Sequence, residues 1–348
     1  MFPKNAWYVA AKKEEVGSKP LGRTICGESI AFYRGLNGEP CAVEDFCPHR
    51  GAALSLGYVE NGNLVCGYHG LVMGCNGKTV SMPMQRTQGF PQIKSYPVAE
   101  RYSFIWVWPG DPEKADVSTI PSFEWTDNPE WVFDGGLFHI KSDYRLMIDN
   151  LMDLTHETYV HSGSIGQPEI DEAPVNTKME GGTVVTSRYM NNIYAPPHWQ
   201  TALRSNGLPD KERVDRWQIS RFTLPSHIMI DVGVALEGNG GYEADAKYKA
   251  SSTVVNFITP ETETTHWYFW GMARNYKIDD PDWTQAVKED QARIFTQDIA
   301  VLEAQQRNIQ THPKRDLLML GIDAGGVQAR RMIDRLVEAE QEQVAVEA

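Results

Sequence analysis

Residues 47–70 read CPHRGAALSLGYVENGNLVCGYHG. Two short fragments bracket this stretch, CPHR (47–50) and CGYHG (66–70). The order is Cys47-x-His49, sixteen intervening residues, then Cys66-x-x-His69. Each fragment follows a strand-like run, CAVEDF (41–46) or NLVCG (63–67), and runs into glycine. There, turn backbone can aim a thiol and an imidazole at one centre. Thiolate and imidazole are soft or borderline donors, so the pair of fragments points to zinc or an iron–sulfur cluster.

The division of ligands discriminates between these. A zinc finger usually takes its cysteines from one segment and its histidines from the other, whereas here each segment gives one of each. A Rieske-type 2Fe–2S centre needs that division, because one iron takes two thiolates and the other two neutral imidazoles. Cys26, Cys41 and Cys75 lack comparable partners; Cys75, in MGCNGK, reads as a packed or turn cysteine. Five cysteines in 348 residues, an odd number, do not resemble a disulfide scaffold.

Outward from this motif, residues 1–110 break into short strand-like runs: WYVAA, IAFYRG, CAVEDF, NLVCG and FIWVWPG, with glycines between them. A small antiparallel β domain is expected, followed by a proline-rich linker at WPGDPEKADVSTIPSF (108–123). Beyond it, HIMIDVGVAL (227–236), SSTVVNFITP (251–260) and THWYFWGMAR (265–274) predict a larger antiparallel sheet. Helical spacing predicts one helix near 284–308 and a C-terminal one through Ala329, Met332, Ile333, Leu336 and Val337. The fold class is therefore α+β, with domains over 1–114 and 115–348.

The formal charge of −13 argues against nucleic acid or an anionic membrane as partner. No apolar run approaches a membrane span, and the start, MFPKNAWYVAAKKEE, is too short an apolar stretch for a secretory signal. A cytoplasmic protein is expected. Neither GxGxxG nor a P-loop occurs, so the chain has no recognisable nucleotide site.

A second constellation lies at DNLMDLTHETYVH (149–161). On one helix, Asp149, Asn150, Asp153, His156 and Glu157 would fall on a single stripe, which is also what a solvent-facing helix shows. His156 and His161 stand about 140° apart on an ideal helix. They can share a metal only if the helix bends, bulges or ends between them; Thr158-Tyr159-Val160 favours an ending. Two histidines and a carboxylate would make a mononuclear iron site with open positions. Asp298 supplies the acid: on helix 284–308 it stands between Ile294-Phe295 and Val301-Leu302, at the centre of the apolar stripe. A carboxylate there is costly to bury without a cation or strong donors.

With both constellations present, the chain resembles the Rieske non-heme iron oxygenases, and within them the branch that demethylates vanillate. The likeness is carried by FPKNAWYVA, VEDFCPHRGAALSLG, CGYHGLVMGCNGKT, DYRLMIDNLMDLTHETYVH, SIGQPEIDEAPV and DAGGVQARRMIDRL, among other strings. It implies a Rieske domain followed by a helix-grip catalytic domain. Cys47, His49, Cys66 and His69 would hold the 2Fe–2S cluster, and His156, His161 and Asp298 mononuclear Fe(II). Asp153 would bridge a cluster histidine to an iron histidine, across neighbouring subunits of a homotrimer. The implied reaction converts vanillate, a small aromatic acid, to protocatechuate and formaldehyde with O2. Its electrons come from NADH through a separate flavin and iron–sulfur reductase. Arg221, Asn256 and His266 are polar candidates for the substrate contacts, which strand parity leaves open.

Overall fold

The computed structural model describes residues 1–347, with side chains described through residue 343. The chain divides into two compact units. The first comprises Met1–Ser122 with Thr259–Glu263 and the chain end from Leu336; the second comprises Phe123–Ile258 and Thr264–Arg335.

The first unit carries ten short strands: β1 (Tyr8–Lys12), β2 (Leu21–Ile25), β3 (Glu28–Arg34), β4 (Pro40–Glu44), β5 (Tyr58–Glu60), β6 (Asn63–Val65), β7 (Val72–Met73), β8 (Thr79–Ser81), β9 (Val98–Arg101) and β10 (Phe104–Val107). They form three antiparallel sheets, ordered β1-β10-β9, β2-β3-β4 and β5-β6-β7-β8. Cys26-Gly27 is the two-residue turn between β2 and β3, with φ of 51° and 77°. Such turns need positive φ at both positions, which explains Gly27 but makes Cys26 an unusual occupant.

One expectation is corrected here. Cys41 on β4 and Cys75 in the turn after β7 form a disulfide, with Cα atoms 5.3 Å apart. Thirty-four positions separate them in sequence, and only the folded strands bring them together. The segment this bond closes contains Cys47, His49, Cys66 and His69.

The second unit is built on a seven-stranded sheet ordered β11-β17-β16-β15-β14-β13-β12. These strands are β11 (Val132–Ile140), β12 (Asn176–Glu180), β13 (Thr183–Tyr194), β14 (Arg213–Thr223), β15 (His227–Leu236), β16 (Lys249–Thr262) and β17 (Thr265–Arg274). Among the described residues, five helices accompany it, α1 (Tyr144–Met152), α2 (Glu157–Val160), α3 (Glu169–Glu172), α4 (Pro197–Ser205) and α5 (Pro281–Thr311), and a sixth, α6 (Ala324–Glu347), begins in this unit and ends in the first. All the runs read as strands are strands, and the two longest helices stand where the spacing placed them.

Strand parity sets the character of the face toward α1 and α2. Arg188 on β13 pairs with Gln218 on β14, and Thr186 with Ser220. These four side chains are buried polar groups on one face. The registered neighbours on β15, Ile230 and Val232, are apolar. One half of that face therefore offers hydrogen bonds, and the other half offers hydrocarbon.

Candidate active site

The 149–161 segment is not one helix. Helix α1 stops at Met152, and Asp153 caps it with φ −89° and ψ 125°. The chain re-enters a single turn, α2, flanked by His156 before it and His161 after it. The ending expected ahead of His161 is present, and an additional break over 153–156 precedes His156. That break frees backbone carbonyls, which need partners when buried. Arg188 Nη1 donates to the Leu154 carbonyl, and Ser220 Oγ donates to the Leu151 carbonyl at 2.8 Å. The polar half of the sheet thus stabilises the interruption that turns both imidazoles inward.

Asp298 on α5 is 3% exposed. Its Oδ1 lies 3.2 Å from His161 Nε2 and 3.6 Å from His156 Nε2. One donor atom from each of the three residues falls within 4.8 Å of the others. Two further contacts set the tautomers. His161 Nδ1 meets the Gln297 side-chain oxygen at 2.8 Å, and His156 Nδ1 meets Asp153 Oδ2 at 3.3 Å. With Nδ1–H donated to these acceptors, each Nε2 turns a lone pair toward the Asp298 carboxylate. Lone pairs converging on an anion repel unless a cation lies between them. Ligand bonds of roughly 2.0–2.2 Å would place neighbouring donors about 3 to 3.5 Å apart, near the 3.2 Å and 3.6 Å that separate Asp298 Oδ1 from the two imidazoles.

The electrostatics agree. Burial acts to lower the His156 and His161 imidazoles, yet Asp153 and Asp298 at the first, and Asp298 and Gln297 at the second, raise both above the ordinary value. Burial acts to raise Asp153, but donors from His156 and Thr155 outweigh it and hold its carboxyl down. The cluster attracts positive charge. Asn150 Nδ2 completes it with a 3.2 Å bond to Asp298 Oδ1.

Glu157, between the two histidines, is buried and bound by Gln218 Nε2 and by Arg216 Nη2 at 3.2 Å. Arg216 Nη1 also donates to Gln167 at 2.7 Å. Gly166 packs against the carbonyls of Glu157 and His161, and an added Cβ would come within 2.4 Å and 3.0 Å of them. Gly166→Ala should displace α2 and lower mononuclear iron occupancy by about 10-fold, since overpacking costs about 1–3 kcal/mol. Iron analysis checks this; unchanged iron would show that α2 tolerates the shift.

In the first unit, the two motif loops repeat one geometry. Cys47 N–H donates to the Ala52 carbonyl, and Gly51 N–H donates to the Cys47 carbonyl. Cys66, Leu71 and Gly70 do the same. Gly51 and Gly70 have φ of 71° and 74°, a conformation that favours glycine. Both cysteines are buried and free, and burial with the adjacent Cys66 thiol pushes the Cys47 thiol up. The His49 and His69 rings lie 4.6 Å apart, edge to face. The structure thus pairs thiol with thiol and imidazole with imidazole.

A cavity adjoins His156, His161 and Asp298. Arg221, Asn256 and His266 are not among its lining residues. Arg221 pairs with Asp231, Asn256 accepts the Tyr268 hydroxyl at 2.6 Å, and His266 Nδ1 meets the Ser142 carbonyl at 2.8 Å. The polar residues that line it include Arg216, Gln218 and His198. Sequence reasoning missed these and Gln297, and placed Asn150 on the polar stripe without a role; the adjacency of Gln297 to Asp298 was the available signal.

Two family models match the chain: the Rieske [2Fe-2S] domain over residues 6–97, and the vanillate O-demethylase oxygenase C-terminal domain over residues 140–339. The chain belongs to the Rieske oxygenases of the vanillate O-demethylase type. It is 65% identical to the vanillate O-demethylase oxygenase subunit of Pseudomonas sp. (strain HR199 / DSM 7063), covering 98% of this chain and 97% of that one. A second such subunit, from Pseudomonas sp. (strain ATCC 19151), is 61% identical over 91% of this chain and 96% of its own. The crystal structure of dicamba monooxygenase bound to 3,6 dichlorosalicylic acid superposes with TM-score 0.90 at 34% identity, over 98% of this chain and 99% of that one. Like the family, the chain is a Rieske-type non-heme iron monooxygenase with a Rieske 2Fe–2S cluster and a mononuclear iron. Among the described residues no helix is long and apolar enough to cross a membrane.

Proposed function

We infer that this chain is the oxygenase component of an aromatic O-demethylase, converting vanillate to protocatechuate and formaldehyde. The observation that carries this reading is the convergence of His156, His161 and Asp298 beside a cavity with largely apolar walls. The 65% identity to a vanillate O-demethylase oxygenase subunit supports the choice of substrate.

Cys47 and Cys66 would hold one iron of the cluster and His49 and His69 the other. His156, His161 and Asp298 would hold the mononuclear iron. When bound, the cluster supplies single electrons and the iron supplies dioxygen activation. The balance is one methyl ether, O2, two electrons and two protons, giving a hydroxymethyl ether and water. The hydroxymethyl ether then collapses to phenol and formaldehyde. The chain's own residues orient and exclude: Ile230, Val232, Val254, Met272, Ile294 and Phe295 surround the ring with hydrocarbon. Gln297 and Asp153 fix which imidazole nitrogen faces the iron. By likeness to the family, Asp153 would also link the cluster of a neighbouring subunit to this iron as an electron path.

The electrons begin on NADH and arrive through a separate flavin and iron–sulfur reductase, since the sequence carries no nucleotide motif. The working assembly is a homotrimer in the cytoplasm, by likeness to the family. Anaerobic purification with iron and sulfide analysis, followed by vanillate turnover with a surrogate reductase, tests the reading. Formaldehyde and protocatechuate should form in equal amounts. A preparation that holds both metal centres yet releases no formaldehyde from vanillate or another methoxybenzoate would overturn it.

A further inference from the structure

A benzoate substrate brings a carboxylate into the cavity, and burying that charge demands a cationic or strongly donating partner. Among the described residues lining the cavity, Arg216 is not available for this. It is 2% exposed, its two terminal nitrogens are already given to Gln167 and Glu157, its charge is matched by the Glu157 carboxylate, and only its buried Nε is without a partner. The iron histidines are committed to Asp298. His198 is the remaining basic side chain on the lining.

His198 stands in the first turn of α4, after Pro196-Pro197. Its Nδ1 lies 2.9 Å from Asp290 Oδ2, and Asp290 is further held by Arg293. The carboxyl of Asp290 is held low, chiefly by His198. Nδ1–H donation to Asp290 fixes the ring and leaves Nε2 for a ligand. The side chain is 20% exposed, so the ring is not sealed in the core. His198 and Met272 line both the iron cavity and a neighbouring one, which places His198 at an end of the iron cavity rather than on its floor.

Helix α5 sets the spacing. Asp290 and Asp298 are eight residues apart, or roughly 12 Å along the axis. Ile294 and Phe295 lie between them, both buried and both on the lining. An aromatic ring over Ile294 and Phe295 would have one edge toward the triad and the other toward the Asp290–His198 pair. In a 3-methoxybenzoate, the methoxy and carboxylate groups stand meta, on ring carbons 120° apart, so one can face the triad while the other reaches toward that pair.

We propose that His198, backed by Asp290, is the residue that reads the substrate carboxylate and so selects aromatic acids. The ring, held between two carboxylates, presents Nδ1 to Asp290 and Nε2 to the substrate. His198 is a specificity residue; it takes no part in the oxidation. This inference rests on the demethylase reading above.

The test compares vanillate with its neutral amide, 4-hydroxy-3-methoxybenzamide, using the intact oxygenase and a surrogate reductase. The wild type should favour the acid by about 10-fold or more in kcat/KM, the range for a hydrogen bond to a charged group. His198→Gln should raise KM for the acid by about 30-fold, with kcat changed far less, and bring the acid-to-amide ratio near one. Asp290→Asn should move the ratio in the same direction by a smaller factor. Anaerobic titration of the neighbouring Trp199, whose ring centroid is 5.1 Å from that of His198, gives a binding readout independent of turnover. Iron content confirms that each variant is loaded. If the wild type treats acid and amide alike, or His198→Gln keeps the preference, His198 does not read the carboxylate, although the demethylase reading stands. If neither compound is demethylated, the demethylase reading fails. The titration then judges His198 alone, with equal affinity for acid and amide overturning the proposal.

Discussion

Asp298→Ala should remove the mononuclear iron, lowering the iron count from about three toward two per chain while acid-labile sulfide is unchanged. Demethylation should fall by more than about 100-fold, the upper end of the loss usually seen when only an outer partner of a metal ligand is removed. The reason lies in the geometry. Asp298 Oδ1 stands within 3.6 Å of both His156 Nε2 and His161 Nε2, and it is the only anion in that group of three. Without it, two neutral imidazoles are left to hold a dication. Folding and ligation are separated by Asp298→Asn. The amide keeps the volume of the side chain, and its N–H can donate to an imidazole lone pair. Asp298→Asn should therefore fold and melt near the wild type yet lack the iron. Iron retained at three per chain in either variant would exclude Asp298 as a ligand.

Much of this site was legible before folding, but unevenly. Asp298 was found because a carboxylate in the middle of an apolar helical stripe violates the ordinary pattern, and it is buried as that argument requires. Val301, placed on the same stripe, is 49% exposed; the helix buries Gln291 and Gln306 as well, which apolar periodicity cannot signal. The break at 153–156 was illegible for a different reason. It depends on Arg188 and Ser220, which come from distant strands and satisfy carbonyls that an isolated helix would have paired itself. The Cys41–Cys75 bond was missed likewise, since cysteine spacing holds no information on which strands become neighbours. By contrast, the Cys47 and Cys66 loops announce themselves locally. Each needs a glycine four residues after its cysteine, to take a positive φ and return a hydrogen bond. Local rules were visible in the sequence, and dependencies between distant segments were not.

Asp153→Ala should leave both metal centres in place and still slow NADH-driven demethylation by about 100-fold, the cost seen for removing a strong outer partner of a metal ligand. Asp153 touches no atom of Asp298 or His161 in the hydrogen bonds of the site. Its Oδ1 takes the Thr155 amide and hydroxyl, both at 2.7 Å, and its Oδ2 faces His156 Nδ1 at 3.3 Å. The first oxygen therefore shapes the turn that interrupts the helix, and the second fixes the His156 tautomer. With its side chain 27% exposed, Oδ2 has room for one more donor, the cluster imidazole proposed above. The two roles predict different failures. Loss of the turn alone would lower iron content and thermal stability, and Asp153→Asn, whose amide oxygen can still accept from Thr155, would restore both together with activity. Loss of the electron path would leave iron, sulfide and the visible spectrum of the cluster intact. In that case, reoxidation of the pre-reduced cluster after mixing with vanillate and dioxygen becomes slow in both variants, because neither carries an anion between the imidazoles. Slow reoxidation at full metal content is the expected result; rapid reoxidation in Asp153→Asn would confine Asp153 to shaping the turn.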